Sequence, residues 1–148
     1  MNCRGGLVIL LLLVGFGSCQ IGTFEGFGTD MNLQIDSEVV ISSQQEFISA
    51  LKSHLIIRFR PGLVLNLTSN LMISNLTDVV IMGPVTFNSF GIYINHSHNI
   101  IAKNLRILNS SIYGILIDHS TYVVVDHCTI IDSGRTSIDK GKCIDLTE

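Results

Sequence analysis

Short runs of β-branched and other apolar residues recur along this chain at a nearly fixed interval, separated by Asn, Asp, His and Ser. The segment GIYINHSHNIIAKNLRILNSS begins at Gly91, and IYGILIDHSTYVVVDHCTIID ends at Asp132. They are two copies of one unit. A shift of 23 residues lays Ile92 on Ile115, Ser97 on Ser120, Ile100-Ile101 on Val123-Val124 and Asn109 on Asp132. A shift of 21 in the other direction lays Met72-Ile73 on Tyr93-Ile94 and Val79-Val80 on Ile100-Ile101. A repeat of this length, built from runs too short to form a sheet alone, predicts a solenoid. Each coil then holds three short strands. In the coil from Gly114 they are Ile115–Ile117, Val123–Val125 and Thr129–Ile131, with bends at Asp118-His119-Ser120 and Asp126-His127. Stacked copies form parallel ladders, and inward side chains line up in columns. Val80, Ile101 and Val124 are expected to form one inward column. Asn99 and Asp78 share a turn position, where their side chains can bond backbone groups that the bend leaves free. Tyr122 interrupts that row.

The chain before the coils has a different texture. Gln20–Leu33 carries several glycines and no period, so residues 20–37 read as an exposed lead-in and residues 38–148 as the solenoid. Glu38–Ile41 predicts a first strand. In Gln44–Ser53, Phe47, Ile48 and Leu51 fall at helical spacing, with Leu55 continuing the pattern. Ser42 or Ser43 fits an N-cap, and Glu46 stands three residues after Ser43 as in a capping box. Such a helix would cover the open end of the first coil, which otherwise shows water an unpaired edge. Leu55–Phe59 and Leu63–Leu67 predict strands around an Arg60-Pro61-Gly62 turn. Further on, SGRTSIDKGK from Ser133 to Lys142 reads as a polar loop projecting from the coil. Coil-like sequence resumes at Cys143 and stops in mid-coil at Glu148, as in an incomplete solenoid.

The 148 residues suffice for one domain, 47% of them apolar and 14% charged, as stacked buried strands require. The net charge of -3 leaves no basic stripe to neutralise phosphates, which argues against nucleic acid as a partner. Residues 1–19 read as a secretory signal peptide: Arg4 begins it, Leu7–Val14 is its apolar run, and Gly17 and Cys19 are the small residues before cleavage at Gln20. That run is well short of the ~20 residues that span a bilayer, so the mature chain is expected outside the cell and free of the membrane. Cleavage leaves Cys128 and Cys143, which either pair or serve as two small apolar residues in successive coils. Asn66, Asn75, Asn95 and Asn109 each open a glycosylation sequon. Asn75 and Asn95 fall at turns and are the favoured acceptors.

Several ordered segments resemble the pectate lyase family of polysaccharide lyases. Val123-Val124-Val125-Asp126-His127-Cys128 looks like the family's V-W-I-D-H-C segment, with Val124 where Trp is usual. Ile144-Asp145-Leu146-Thr147-Glu148 looks like the start of its D-G-L-I-D-V-T-x-G-S segment. The Gln45–Leu51 helix, the Pro61-Gly62 turn, Ser97-His98-Asn99-Ile100-Ile101 and Asn104-Leu105-Arg106-Ile107 also match, so the likeness covers roughly Val39 to Glu148. The resemblance implies an all-β, right-handed parallel β-helix, monomeric when complete, that cleaves polygalacturonate (pectate) by β-elimination. In such a reaction calcium held by carboxylates offsets the charge that builds as the C5 proton leaves.

Residue by residue the carry-over is partial. Asp145 matches a family calcium ligand. Asp139 stands two residues from Gly141, where another acid is usual. Ser111 and Tyr113 occupy two further acid positions. Arg58, Arg60, Arg106 and Arg135 match none of the family's basic residues, so no catalytic residue carries over, and the 148-residue chain is expected to be an incomplete portion of such an enzyme without lyase activity of its own. A second reading is therefore a non-catalytic β-helix that binds acidic polysaccharide or serves as a surface scaffold. Asp118 reads as a solvated turn residue, and Asp126-His127 as structural hydrogen bonding at a bend. His96 and His119 fall one coil apart, about 5 Å. With His98 they read as turn histidines rather than a zinc site, which would need a further ligand.

Overall fold

The computed structural model of the chain describes residues 31–134, 136–139 and 146–147, the last two segments by their backbone. The expected signal peptide, Cys143 and Asp145 lie outside the described residues. The chain winds as a parallel β-solenoid of about four turns with one short helix. In order come β1 (Ser37–Ile41), α1 (Gln44–Ala50), β2 (Leu55–Phe59), β3 (Leu63–Asn66), β4 (Leu71–Ser74), β5 (Thr77–Asn88), β6 (Ile92–Asn95), β7 (His98–Leu108), β8 (Tyr113–Asp118), β9 (Thr121–Asp126), β10 (Thr129–Ile131), β11 (Thr136–Asp139) and β12 (Leu146–Thr147). One sheet stacks β4, β6, β8 and β11. The other runs β1-β2-β5-β7-β9-β12 and turns a corner, because the register between β5 and β7 shifts between Met82 and Val85. Beyond that corner the second halves of β5 and β7 stack with β3 and β10 as a third face.

The sequence repeat is the pairing register. Met72 pairs with Tyr93, Ile92 with Ile115, and Val79 with Ile100 and then Val123. Side chains alternate across a strand, so Leu55, Ile57, Val79, Ile81, Ile100, Ala102 and Val123 all enter the core between the faces. The row Val80–Ile101–Val124 is in register as expected. It lies on the outer surface, however, since Val79 and Ile81 already point in. Leu33 and Ile35, each 2% exposed, pack over this row together with Met31. The end of the expected lead-in is thus a cover over an apolar strip rather than an exposed tail. Burying Leu33 and Ile35 there contributes about 1.5–3 kcal/mol each.

Each turn of the coil is closed by residues in the left-handed region. They stand in columns: Asn75, His96 and His119; His54, Asp78, Asn99 and Tyr122; Asn104 and His127; Ser89, Asn109 and Asp132, with φ between 46° and 78°. Asn, Asp and His are the side chains most tolerant of that region, which explains their recurrence once per turn. Tyr122 adopts the same backbone as its column, so it does not interrupt the bend. The polar members bond one another along the column: Asn99 Nδ2 donates to Asp78 Oδ1 at 2.8 Å, and Asp78 Oδ2 faces His54 Nδ1 at 3.2 Å. This differs from the side-chain-to-backbone bonding expected there, because a column stacks identical turn positions within reach of each other.

Helix α1 begins where the capping box predicts. Ser43 Oγ accepts from Glu46 N at 3.1 Å, and the Glu46 carboxylate accepts from Ser42 N at 2.7 Å. Those bonds from Ser42 hold the Glu46 carboxyl below its ordinary value. Phe47 is fully buried and stacks on Phe59 at 6.1 Å, and Phe59 meets Phe87 edge-on at 5.3 Å. The helix therefore plugs the first coil. It stops at Ala50, short of the expected Ser53, with Leu51 as C-cap. Its single buried turn is held by Phe47, and Ile48 is 54% exposed. No helix among the described residues is long and apolar enough to cross a membrane.

Part of the polar segment after Ser133, expected as a projecting loop, is strand instead. Thr136–Asp139 is a strand of the next coil, with Thr136 opposite Tyr113 and Ile138 opposite Ile115. Leu146 and Thr147 pair with Val123 and Val124. Backbone pairing to the coil below outweighs the polar side chains, because a strand of this solenoid face needs only alternate apolar positions.

Phe47→Ala should lower stability by about 3–5 kcal/mol, read as a lower denaturant midpoint at unchanged slope. Gly91 should be less tolerant still of a side chain, since a Cβ there would lie 1.9 Å from the Gly114 carbonyl oxygen of the next coil. Gly91→Ala must push two laddered strands apart, and its thermal midpoint should fall accordingly; an unchanged midpoint would contradict the stacking.

Candidate functional site

The third face carries the most varied surface chemistry. Its strands put Val64, Thr86, Arg106 and Thr129 in one register row. Leu65, Phe87 and Ile107 point into the core between them, so this row faces outward. A second outward row holds Asn66, Asn88, Leu108 and Ile131. The asparagines there form a ladder that continues to the next bend: Asn88 Nδ2 donates to Asn66 Oδ1 at 3.0 Å, and Asn109 Nδ2 donates to Asn88 Oδ1 at 3.1 Å.

Where this face meets the corner, a groove of about 480 Å³ runs across the coils. Its walls include Gly62 and Leu63 at one end, Pro84, Thr86, Asn104 and Arg106 along the middle, and His127 with Thr129 at the other. Four successive turns of chain thus contribute to one open trough. Hydroxyl, amide, imidazole and guanidinium groups line it, and Arg106 is exposed within it.

A charged cluster backs the His127 end. Lys103 and Asp126 are register partners on β7 and β9, and Lys103 Nζ lies 2.9 Å from Asp126 Oδ2. The other carboxylate oxygen accepts from His127 Nδ1. The Lys103 and Asp126 side chains are 17% and 12% exposed, while that of His127 is 70% exposed. Lys103 above all, and then the His127 hydrogen bond, hold the Asp126 carboxyl below its ordinary value against the opposing effect of burial. Cys128 follows, half-buried against the core, its thiol near the carbonyls of Asp126 and Ala102. Burial pushes that thiol up.

The other histidines gather at a different bend. The rings of His96 and His119 stack at 4.8 Å and 1°, as their column spacing predicts. His96 Nδ1 donates to Asn95 Oδ1 at 2.7 Å, and His119 Nδ1 lies 2.8 Å from Asp118 Oδ1. His98 stands apart, against Thr121 Oγ1 at 2.5 Å and edge-on to Tyr122. Among the described residues no three His, Cys, Asp or Glu side chains are placed to hold a metal. Asp118 also accepts from the Tyr93 hydroxyl at 3.4 Å, so its oxygens are already directed at other partners. Ser111 is exposed, and Tyr113 opens β8. Asp139 closes β11 opposite Leu116; its side chain, like all of Asp145, lies outside the described residues.

Of the sequon asparagines, Asn66 and Asn109 belong to the surface ladder, while Asn75 is exposed at its bend and donates to Ser74 Oγ at 3.1 Å. Asn95 is half-buried beside His96. Sequence reasoning set Arg106 aside and treated His127 as structural. A shift of 23 residues lays Arg106 on Thr129 and Asn104 on His127, whereas the pairing of Thr86 with Arg106 depends on the register shift after Met82, which the repeat does not show.

No family model matches the chain, and no curated protein matches its sequence. Its fold is similar to that of a protein from Parabacteroides merdae provisionally described as a glycosyl hydrolase, with a TM-score of 0.59 at 12% identity. The likeness covers 78% of this chain and 64% of the other, so the chain spans less than two thirds of that protein's length. It is a likeness of fold.

The low Asp126 carboxyl gives a pH dependence with a definite sign. A carboxyl whose folded value is depressed stabilises the fold above its unfolded value, about 3.9, and that stability is lost as pH falls through the folded value. A carboxyl titration by NMR should place the Asp126 midpoint below that of an unperturbed aspartate. Lys103→Met should move the midpoint upward; an unmoved midpoint would mean that Lys103 is not its main partner.

Proposed function

We propose that this is a secreted protein that binds an acidic polysaccharide of the pectate type along the third-face groove, and that its chemistry is that of the polysaccharide lyases its sequence resembles. The observation that carries this reading is the exposed Arg106 in a trough across four successive coils, three of which line it with polar side chains. A guanidinium is suited to a uronate carboxylate because its planar fork can donate two parallel hydrogen bonds to it. The Thr86, Thr129 and Asn104 side chains beside it offer donors and acceptors for sugar hydroxyls. Coils repeat every ~4.8 Å, close to the length of one sugar ring, so successive sugars can meet equivalent positions on successive turns.

The description of the Parabacteroides protein supports carbohydrate as the ligand class. Between hydrolysis and elimination, the described residues favour elimination. Glycoside hydrolysis ordinarily uses two carboxyl groups flanking the bond, about 5–9.5 Å apart. None of the described groove-lining residues is Asp or Glu. Elimination instead needs neutralisation of the uronate carboxylate and a base at C5. The second reading, binding without cleavage, is favoured by Ser111 and Tyr113 standing where the resemblance calls for calcium-ligating acids.

Calorimetric titration with oligogalacturonate tests the binding. Arg106→Ala should weaken it about 10- to 100-fold, the worth of one charge-assisted contact, and added salt should weaken the wild type. Equal affinity for a neutral galactan, or an Arg106→Ala variant that binds as tightly as wild type, would overturn the reading.

A further inference from the structure

We propose that His127 is a proton-controlled contact of the groove: once protonated, its Nε2 joins Arg106 as a second cationic donor to an acidic ligand, so that binding strengthens as pH falls. The inference rests on the preceding reading of the groove as a polyanion site, and it names the group that regulates that site.

His127 lines the groove that holds Arg106, and its side chain is 70% exposed. It reaches the groove from the neighbouring coil, since Arg106 pairs in register with Thr129, two residues beyond His127. The backbone sets where the ring stands, because His127 takes the left-handed bend position that Asn104 takes one coil earlier. Nδ1 of the ring is bound to the Asp126 carboxylate. Such a partner keeps a proton on Nδ1 in both charge states of an imidazole, so titration changes Nε2 alone. In the neutral ring Nε2 is an acceptor, suited to a sugar hydroxyl. In the cation it is a donor, suited to a carboxylate. The ring need not turn to pass from one role to the other.

The groups around this ring leave its proton as the variable charge of the groove. Among the described residues, the charged and titratable ones that face it are Asp126 on β9, Lys103 and Arg106 on β7, and the Cys128 thiol next in the chain. Lys103 above all, and then the His127 hydrogen bond, hold the Asp126 carboxyl below its ordinary value, so Asp126 stays ionised where histidines titrate. Lys103 Nζ, 2.9 Å from Asp126 Oδ2 in a largely buried pair, balances that charge. Burial pushes the Cys128 thiol up, so it stays neutral. An arginine is cationic throughout. Histidine is the side chain that changes charge between about pH 5 and pH 8, and the carboxylates of a uronate remain ionised above about pH 5. Across that interval the added charge of His127 therefore meets a ligand of constant charge. A polyanion gains affinity as pH falls, and a neutral polymer does not.

The experiment titrates the full chain with oligogalacturonate by calorimetry at constant ionic strength. Affinity should be about three- to tenfold higher at about pH 5 than at about pH 8, between the worth of an exposed ion pair and that of a charged hydrogen bond. His127→Asn is the informative variant, since Asn already holds this bend at Asn104. It should bind with one affinity across the whole interval. His96→Asn and His119→Asn, at the other bend, should keep the wild-type pH dependence. A second measurement needs no variant: in the wild-type chain, saturating oligogalacturonate should raise the NMR titration midpoint of the His127 ring by about half to one pH unit, the same fold-change read as proton affinity. Wild-type affinity that does not change with pH, a His127→Asn variant that keeps the change, or a His127 midpoint that the ligand does not raise would each overturn the assignment and leave the binding reading standing. Absence of binding at every pH would overturn both.

Discussion

Each coil of this solenoid is held to the next by parallel backbone hydrogen bonds, and the ladder works only if every turn of chain returns to the same register. A strand of four to six residues has no stability alone; the coil above and the coil below supply its partners. The repeat of 21–23 residues is the length of chain that closes one turn. The corners must therefore bend the backbone sharply without consuming extra residues. Left-handed positions at Asn75, His96 and His119, and at Asn104 and His127, do this. Where two coils approach closely, as at Gly91 beneath Gly114, there is no room for a Cβ.

The same constraint builds the candidate site. Because equivalent positions stack, any polar residue at an outward position acquires neighbours of the same position from other turns. That is how Thr86, Arg106 and Thr129 become one row, and how Asn66, Asn88 and Asn109 become a ladder. It also makes bends into places where side chains meet along the axis. The stacked His96 and His119 rings and the Lys103–Asp126–His127 cluster both arise in this way. A surface organised as rows along an axis suits a ligand that is itself a linear repeat.

The architecture was legible in the sequence because periodicity determines register. Matching Val79 to Ile100 and to Val123 in sequence was already a statement of pairing. The capped helix was legible too, since Ser43 and Glu46 have few other uses just before Phe47. Facing was harder. A run such as Val79-Val80 puts one apolar residue on each side of the sheet, and the sequence alone does not say which is inside. The alternation of Met31, Leu33 and Ile35 was the clue that an outer strip is covered, and the nearby glycines obscured it. The segment after Ser133 misled because its polar side chains hide the strand period. Arg106 and His127 were visible as residues but not as a pair, because they belong to different coils and only the stacking places them in one groove.

The measurement that bears most directly on this account is hydrogen–deuterium exchange of the chain with and without saturating oligogalacturonate. Groove binding predicts new protection confined to the segments around Gly62-Leu63, Pro84–Thr86, Asn104–Arg106 and His127–Thr129, with the His96–His119 corner unchanged. Protection at that corner alone, or no change along the third face, would contradict it.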